Sequence, residues 1–288
     1  MPIPTRTRGS RASGRTRRRD NDSAIIVGID FGTTYSGVAW SLSSQPDQIN
    51  IITNWDSILL NNSDKEKSPT AISYEDGNET PTWGYNVPSH VIAARWFKLC
   101  LLDDEDIPAN IRESNQLKEA RALLTRLNKH AIEVISNYLR ELWDHSIENI
   151  ERSVGRGLVQ LSRFKIVVTL PAIWPAYAQA RMKQAIEQAG ILEMRSAGDT
   201  TLTFVSEPEA AALATIEDMC GRADIKPKDH FIVCDAGGGT VDIITYTVVK
   251  TQPLTVRESI KGEGKLCGAV FLDDGFKTLL RKVIPRSI

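Results

Sequence analysis

Asp30-Phe31-Gly32-Thr33-Thr34 and Asp235-Ala236-Gly237-Gly238-Gly239-Thr240 set an aspartate beside a glycine- and threonine-rich turn twice in one chain, 205 residues apart. Glycine lets a turn present backbone N–H groups with no β-carbon in the way, and successive N–H groups form an anion-binding concavity. Carboxylates beside such a turn are the oxygen donors a hydrated divalent cation takes. Two turns of this kind facing each other would grip a polyphosphate from both sides. Either turn alone reads equally well as an ordinary hairpin, where Gly, Asp and Thr are common. The matched pair points to a nucleotide site between two related lobes.

Each turn has to be held by strands. The apolar runs Ile26–Ile29 and Phe231–Cys234 precede the turns, and period-two alternation follows them (Tyr35, Gly37, Ala39; Val241, Ile243, Thr245), a pattern that predicts two β-hairpins. The first opens a meander over 24–30, 35–42 and 48–54, followed by a polar, turn-like stretch over 55–68 (Asp56, Asn61, Asn62, Ser63, Asp64, Lys65) and a short strand over 70–74. Val91, Ile92, Arg95, Trp96 and Leu99 predict a helix from Pro88 to Leu99. Asp103–Asp106 reads as a solvated acidic loop, and 116–154 carries the longest helical stripe, from Leu117 to Ile150. A strand over 164–170 stops at Pro171, a helix after Pro175 ends at Gly190, and a strand over 200–205 follows. Ser206 and Glu209 stand at capping-box spacing at the start of the next helix. Strands over 230–235, 241–249 and 254–260, a glycine loop at Gly262-Glu263-Gly264-Lys265 and a helix from about Leu272 complete the reading.

Bulk properties narrow the function classes. The 288 residues suit two domains, and 41% hydrophobic with 25% charged residues is the composition of a soluble globular protein. Net charge is −1, but seven arginines and no acid occupy residues 1–19, so the remainder carries −8 and is not built for non-specific nucleic-acid binding. That tail is too poor in apolar residues to order itself and reads as a solvated extension, in which Thr16-Arg17-Arg18-Arg19 could serve as a nuclear address or a weak anionic-surface patch. No apolar run is long enough to span a membrane. Cys100, Cys220, Cys234 and Cys267 are widely spaced and read as reduced, mostly buried thiols of a reducing compartment, and His90, His130, His145 and His230 are too scattered for a metal cage. There is no Walker loop, and Gly262–Cys267 misses the dinucleotide fingerprint, which makes P-loop NTPase and Rossmann dehydrogenase poor readings.

The two turns, in this order, resemble the phosphate motifs of the actin-like ATPase superfamily, and Asp30–Ser36 is close to the form found in the seventy-kilodalton heat-shock chaperone family, DnaK-type. Val167-Val168-Thr169-Leu170-Pro171-Ala172, Ala189-Gly190-Ile191 and Ser206-Glu207-Pro208-Glu209-Ala210-Ala211-Ala212 resemble further segments of that family in order and spacing. Trp174 and Arg95-Trp96-Phe97-Lys98 look more like its divergent branch numbered twelve. The resemblance covers about residues 23–282 and implies an α/β fold of the actin-like, ribonuclease H-like, two-lobe type, with a tail over 1–22, lobe I over 23–222 and a partial lobe II over 223–288.

By that resemblance the ligands are ATP or ADP and Mg²⁺, with Asp30, Asp235 and Asp242 around the metal. Gly32, Thr33, Thr34, Tyr35, Gly237, Gly238, Gly239 and Thr240 would cradle the phosphates, while Lys98, Glu207 and Asp235 would serve catalysis. Phosphoryl transfer to water needs positioning and charge neutralisation, which these residue types supply. Lys98 also reads as a lysine on an amphipathic helix, Glu207 as a helix-start acid favoured by the dipole, and Asp242 as a turn cap. The implied function is an ATP-binding, ATP-hydrolysing domain of a chaperone-like cytoplasmic or nuclear protein, with protein clients or co-chaperones as partners and neither membrane nor specific nucleic acid. A non-hydrolysing nucleotide-dependent scaffold, an inactive truncated fragment and a sugar or carboxylate kinase are the alternatives. Gln179 stands where the family places a coupling arginine, with Arg181 two residues on. The family's adenosine motif falls beyond Ile288, so the expectation is an incomplete second lobe, weak ATP binding and poor discrimination against GTP.

Overall fold

A computed structural model describes residues 24–57, 65–74, 81–88, 90–219, 225–251, 254–265 and 267–284. The arginine-rich tail, Asn61–Asp64, Cys220 and the last four residues, on which expectations also fell, lie outside the described residues.

The chain opens with the expected antiparallel hairpin, β1 (Ala24–Phe31) and β2 (Tyr35–Leu42), in which Asp30 stands opposite Gly37. Next, β3 (Gln45–Ile51) pairs with β2, and β4 (Ser68–Pro69) pairs with the start of β2 at Tyr35 and Ser36. A small ladder joins β5 (Ile72–Ser73) to β6 (Thr82–Trp83). Helices α1 (Ala109–Arg112), α2 (Asn115–Arg126), α3 (Ala131–Val154) and α4 (Arg156–Leu161) lead to β7 (Arg163–Leu170), which lies parallel to β1. After α5 (Ala176–Gln188), β8 (Thr201–Ser206) lies parallel to β7, giving a mixed sheet in the order β3-β2-β1-β7-β8 with β4 beside β2. Then α6 (Glu207–Met219) leads to an antiparallel sheet of β9 (His230–Ala236), β10 (Val241–Thr251) and β11 (Leu254–Lys265), in the order β11-β10-β9, and α7 (Ala269–Val283) follows. The fold is mixed α/β, of the kind expected for an actin-like ATPase domain.

Strand periodicity decides which way the site residues point. Ile25, Val27, Ile29 and Phe31 of β1 and Phe164, Ile166, Val168 and Leu170 of β7 are buried, packed with Val134, Tyr138 and Leu142 of α3 and Met182 and Ile186 of α5. Each such side chain contributes about 1.5–3 kcal/mol on burial, which fixes the rotation of the strand. Residues alternating with them face the other way. Asp30 and Thr169 are therefore turned from this core, only half-buried, and bonded to each other. In the smaller sheet Ala212 of α6 packs on Ile244 and Tyr246 of β10.

Several local expectations are corrected. No helix runs from Pro88 to Leu99: Ala94 pairs with Ile72 as an isolated bridge, Trp96 is left-handed at φ 62°, and only a 3-10 turn over Phe97–Leu101 forms. The apolar spacing there reflects two burial directions, since Phe97 packs in the main core while Trp96 and Leu99 join a second cluster with Ile111 and Leu117. The 116–154 stripe breaks between α2 and α3, where Asn128 takes φ 51°. The strand expected over 70–74 shrinks to β5, with β4 just before it. The Gly262–Lys265 stretch is strand, not loop, because Ile243, Asp242 and Val241 of β10 pair with Glu263, Gly264 and Lys265. The last helix begins at Ala269 rather than Leu272. The cysteines expected to be mostly buried are not: Cys100 is half-buried, and Cys234, on the outward side of β9, and Cys267 are exposed. The acidic run is no bare solvated loop, because Asp103 pairs with Arg181, Asp104 with Arg121, and Asp106 accepts from Tyr177.

Candidate functional site

The two glycine turns meet. A β-carbon on Gly238 would stand 2.1 Å from Thr34 Oγ1, and one on Gly239 would stand 3.3 Å from Thr33 Cγ2. Each turn is closed by its own backbone: a β-carbon on Gly32 would fall 2.2 Å from Tyr35 O, and Gly237 N–H donates to Thr240 O at 2.9 Å. Glycine is required at these approaches for want of space. Around the turns lies a cavity of about 590 Å³, lined also by Asp30, Lys67, Lys98, Glu207, Asp235 and Asp242. All the residues expected from sequence thus border one space, and the exposed Tyr35 stands at its rim.

The second turn is braced from behind. Gly268, Ala269 and Val270, at the start of α7, donate their N–H groups to Gly239, Gly237 and Gly238 carbonyls at 3.1 Å each. In a trans peptide the next residue's N–H points opposite to the carbonyl. The N–H groups of Gly238, Gly239 and Thr240 therefore turn away from α7, as an anion cradle needs. Gly268 is part of this fit, because a β-carbon there would lie 2.5 Å from Gly237 O. Sequence reasoning missed Gly268; its only signal was a glycine just ahead of a helix, which reads as a cap.

Lys98 sits on the 3-10 turn over Phe97–Leu101 and is 2% exposed. Its ammonium lies 5.7 Å from the Phe31 ring centre and 5.4 Å from that of Trp174, and meets Glu207 Oε1 at 2.6 Å. Glu207 starts α6, where Ser206 caps the helix by accepting from Glu209 N–H at 3.3 Å. Arg181 holds the Lys98 segment by donating to Leu101 O at 2.7 Å and Asp103 at 2.8 Å, while Gln179 donates to Trp174 O at 3.4 Å. Lys98 is therefore no surface lysine, and Glu207 is more than a helix-start acid.

Asp235 and Asp242 are direct cross-strand partners at the end of the second hairpin. Opposed like charges are unfavourable without a cation. Burial, with Glu207 and Asp235 adding to it, raises the Asp242 carboxyl above its ordinary value against a hydrogen bond from Thr240. Its Oδ2 is buried with no hydrogen-bond partner among the described residues. Gly264 makes room for the other oxygen, since a β-carbon there would stand 2.2 Å from Asp242 Oδ1. This pair suits a hydrated divalent cation that arrives with phosphates. Among the described residues no three Asp, Glu, His or Cys side chains converge as a metal-ligating group.

Asp30 is engaged differently. Its Oδ2 receives Lys67 Nζ at 2.6 Å and its Oδ1 receives Thr169 Oγ1 at 3.1 Å. Burial works against the Lys67 ammonium, but Asp30, with Asp235 and Glu207 further off, raises it above the usual lysine range. Lys67 was not legible: it lies in a polar stretch with Lys65 and Glu66, where a solvated lysine is the ordinary reading.

Among the described residues no helix is long and apolar enough to cross a membrane. No protein-family model matches the chain. Curated relatives do. Heat shock 70 kDa protein 12B of Homo sapiens is 24% identical over 321 aligned residues, covering 90% of this chain and 45% of the relative. Heat shock 70 kDa protein 12A of Homo sapiens is 23% identical, with the same shares covered. The Chaperone protein HscA homolog of Acinetobacter baumannii (strain AYE) is 25% identical over 228 residues, covering 76% of this chain and 32% of the relative. The chain therefore spans about half the length, or less, of the curated relatives it matches.

Proposed function

We propose, for a chain similar to the divergent branch of the 70 kDa heat-shock proteins, that it binds ATP or ADP with the phosphates between its two glycine turns and hydrolyses ATP. The observation that carries this reading is the convergence of two turns 205 residues apart on one cavity whose wall holds the buried Lys98–Glu207 pair. Backbone N–H groups of Gly238–Thr240 and the hydroxyls of Thr33 and Thr34 would cradle the phosphates. Lys98 would neutralise charge growing on the terminal phosphate, and Glu207, sharing its proton-donating partner, would orient water for attack. Preorganised donors in a site of restricted solvent access are worth far more than in bulk water. Mg²⁺, held through water by Asp235 and Asp242, would supply further charge neutralisation.

Calorimetry with ATP and ADP, together with release of labelled phosphate under single-turnover conditions, tests this. Micromolar binding with phosphate release supports it; no heat with either nucleotide overturns it. A second reading, binding without hydrolysis, draws on the 2.6 Å Lys98–Glu207 pair, in which each group already satisfies the other. Binding without phosphate release would favour that reading. The chaperone role, with protein clients or co-chaperones, and a cytoplasmic or nuclear location are proposals by similarity; a fluorescent fusion with and without residues 1–20 tests the location.

A further inference from the structure

Lys67 lies outside the residues assigned above, yet the fold aims it at the site. It precedes β4, which pairs with β2 at Tyr35 and Ser36 beside the first turn. Thr70 fixes this segment to the turn, donating its N–H to Thr34 O at 2.8 Å and its hydroxyl to Gly32 O at 2.9 Å. Tyr85 holds it from the other side through Lys67 O at 3.2 Å.

The side chain runs along a prepared track. Gly37 is the β2 partner of Asp30 across the ladder. A β-carbon on Gly37 would stand 3.1 Å from Lys67 Cγ, so glycine at this position lets the lysine stem cross the strand closely. Beyond Gly37 the ammonium reaches Asp30 Oδ2 at 2.6 Å while bordering the cavity. An ammonium has three donors. One is used on Asp30, which leaves two for an incoming ligand.

Asp30 and the opposed pair Asp235 and Asp242 thus present different electrostatics to a polyphosphate. At the second turn two carboxylates face each other and need an added cation. At the first turn the positive charge is tethered to the chain. We infer that Lys67 is a phosphate-contacting residue that supplies at Asp30 the charge a divalent cation would otherwise supply, so that nucleoside polyphosphate binding persists when divalent metal is removed. This inference rests on the nucleotide reading above.

The test is nucleotide affinity, measured with a fluorescent ATP analogue and by calorimetry with ATP, in Mg²⁺ and in excess EDTA. The protein as it stands is compared with Lys67→Met and Lys67→Arg. The ion pair is half-exposed, and such pairs contribute little to stability, so both variants should fold; thermal unfolding checks this. The expected result is a loss of affinity below about threefold on removing Mg²⁺ from the parent protein, because a charge-assisted bond from the tethered ammonium remains. Lys67→Met should lose at least about tenfold more in EDTA than in Mg²⁺, and Lys67→Arg should restore most of it. A parent protein that binds in Mg²⁺ but not in EDTA overturns the role of Lys67 and leaves the nucleotide reading intact. Equal affinities for the parent and Lys67→Met in EDTA overturn it likewise. Binding under neither condition overturns both.

Discussion

Lys98 and Glu207 are separated by 109 residues, yet their side chains meet at 2.6 Å with the lysine 2% exposed. The contact ties the segment before α1 to the start of α6, and so links the mixed sheet to the helix that leads into the second one. It also puts opposite charges where solvent reaches neither freely. A pair so placed is costly to break and is well situated to act on a bound phosphate.

Replacing Lys98 with Met should therefore do two separable things. It leaves Glu207 as an uncompensated, largely buried charge, and breaking such a pair costs about 3–5 kcal/mol. Urea unfolding should register that loss. Phosphate release should fall at least about 100-fold, in line with losing a preorganised electrostatic group. The double substitution with Glu207→Met should recover much of the stability and none of the turnover. A Lys98→Met protein of unchanged turnover would mean that the lysine only holds the fold.

The approach of the two turns gives a second prediction. A β-carbon on Gly238 would lie 2.1 Å from Thr34 Oγ1 and 2.8 Å from Thr34 Cβ, and a β-branched side chain has little freedom to retreat. Gly238→Ala should cost about 1–3 kcal/mol, the usual range for overpacking. Adding Thr34→Gly should return part of it, so a double-mutant cycle followed by thermal unfolding should show a favourable coupling. Gly268→Ala should have no such side-chain rescue, because its β-carbon would strike backbone at Gly237 O and Gly238 C. Additive effects at Gly238 and Thr34 would mean that the turns do not touch in solution.

Both hairpins were legible because β1 and β9 are short apolar runs, β2 and β10 alternate with period two, and a glycine turn joins each pair. The cap at Ser206 was legible for the same local reason. Arg95–Leu99 was not. Its apolar residues serve two clusters, and a left-handed Trp96 is dictated by tertiary packing that no helical periodicity reports. The role of Lys98 came from resemblance to a family; its burial among Phe31, Trp174 and Glu207 is a property of the folded chain alone. Lys67, Gly37, Gly264 and Gly268 were invisible because each matters through what lies opposite it across a strand pair or behind a turn.

The opposed carboxylates predict unequal effects. Asp242 is 5% exposed and its carboxyl is raised by burial, whereas Asp235 stands more open to the cavity. Asp235→Asn should slow Mg²⁺-dependent phosphate release more than Asp242→Asn, by roughly tenfold if one charge-assisted contact is lost. Asp242→Asn removes a buried charge that lacks a partner, so its thermal stability should hold or rise. A Mg²⁺ titration of phosphate release in both variants checks the order. Equal or reversed losses would mean that the second turn is oriented differently toward the metal.

His145 predicts how the fold responds to acid. It lies on α3, stacked on Trp55 at 5.2 Å and edge-on to Trp83 at 5.9 Å, with Nε2 buried and unpartnered among the described residues. Burial lowers its proton affinity below the ordinary 6.5, against the pull of Asp56 at 3.6 Å, of Glu148 and of the Asn54 backbone, and with Arg152 opposing protonation. A lowered folded-state value means that the unfolded chain binds the proton first as pH falls. Stability from this residue is therefore complete above about pH 6.5 and is lost as pH drops through the lowered value, with a slope of at most about 1.4 kcal/mol per pH unit. Urea unfolding between pH 7.5 and 5 should show the slope in the parent protein and a flatter line in His145→Phe, which keeps the stacking on Trp55 and has no proton to take up. Parallel lines would mean that the imidazole is as easily protonated in the folded chain as in water.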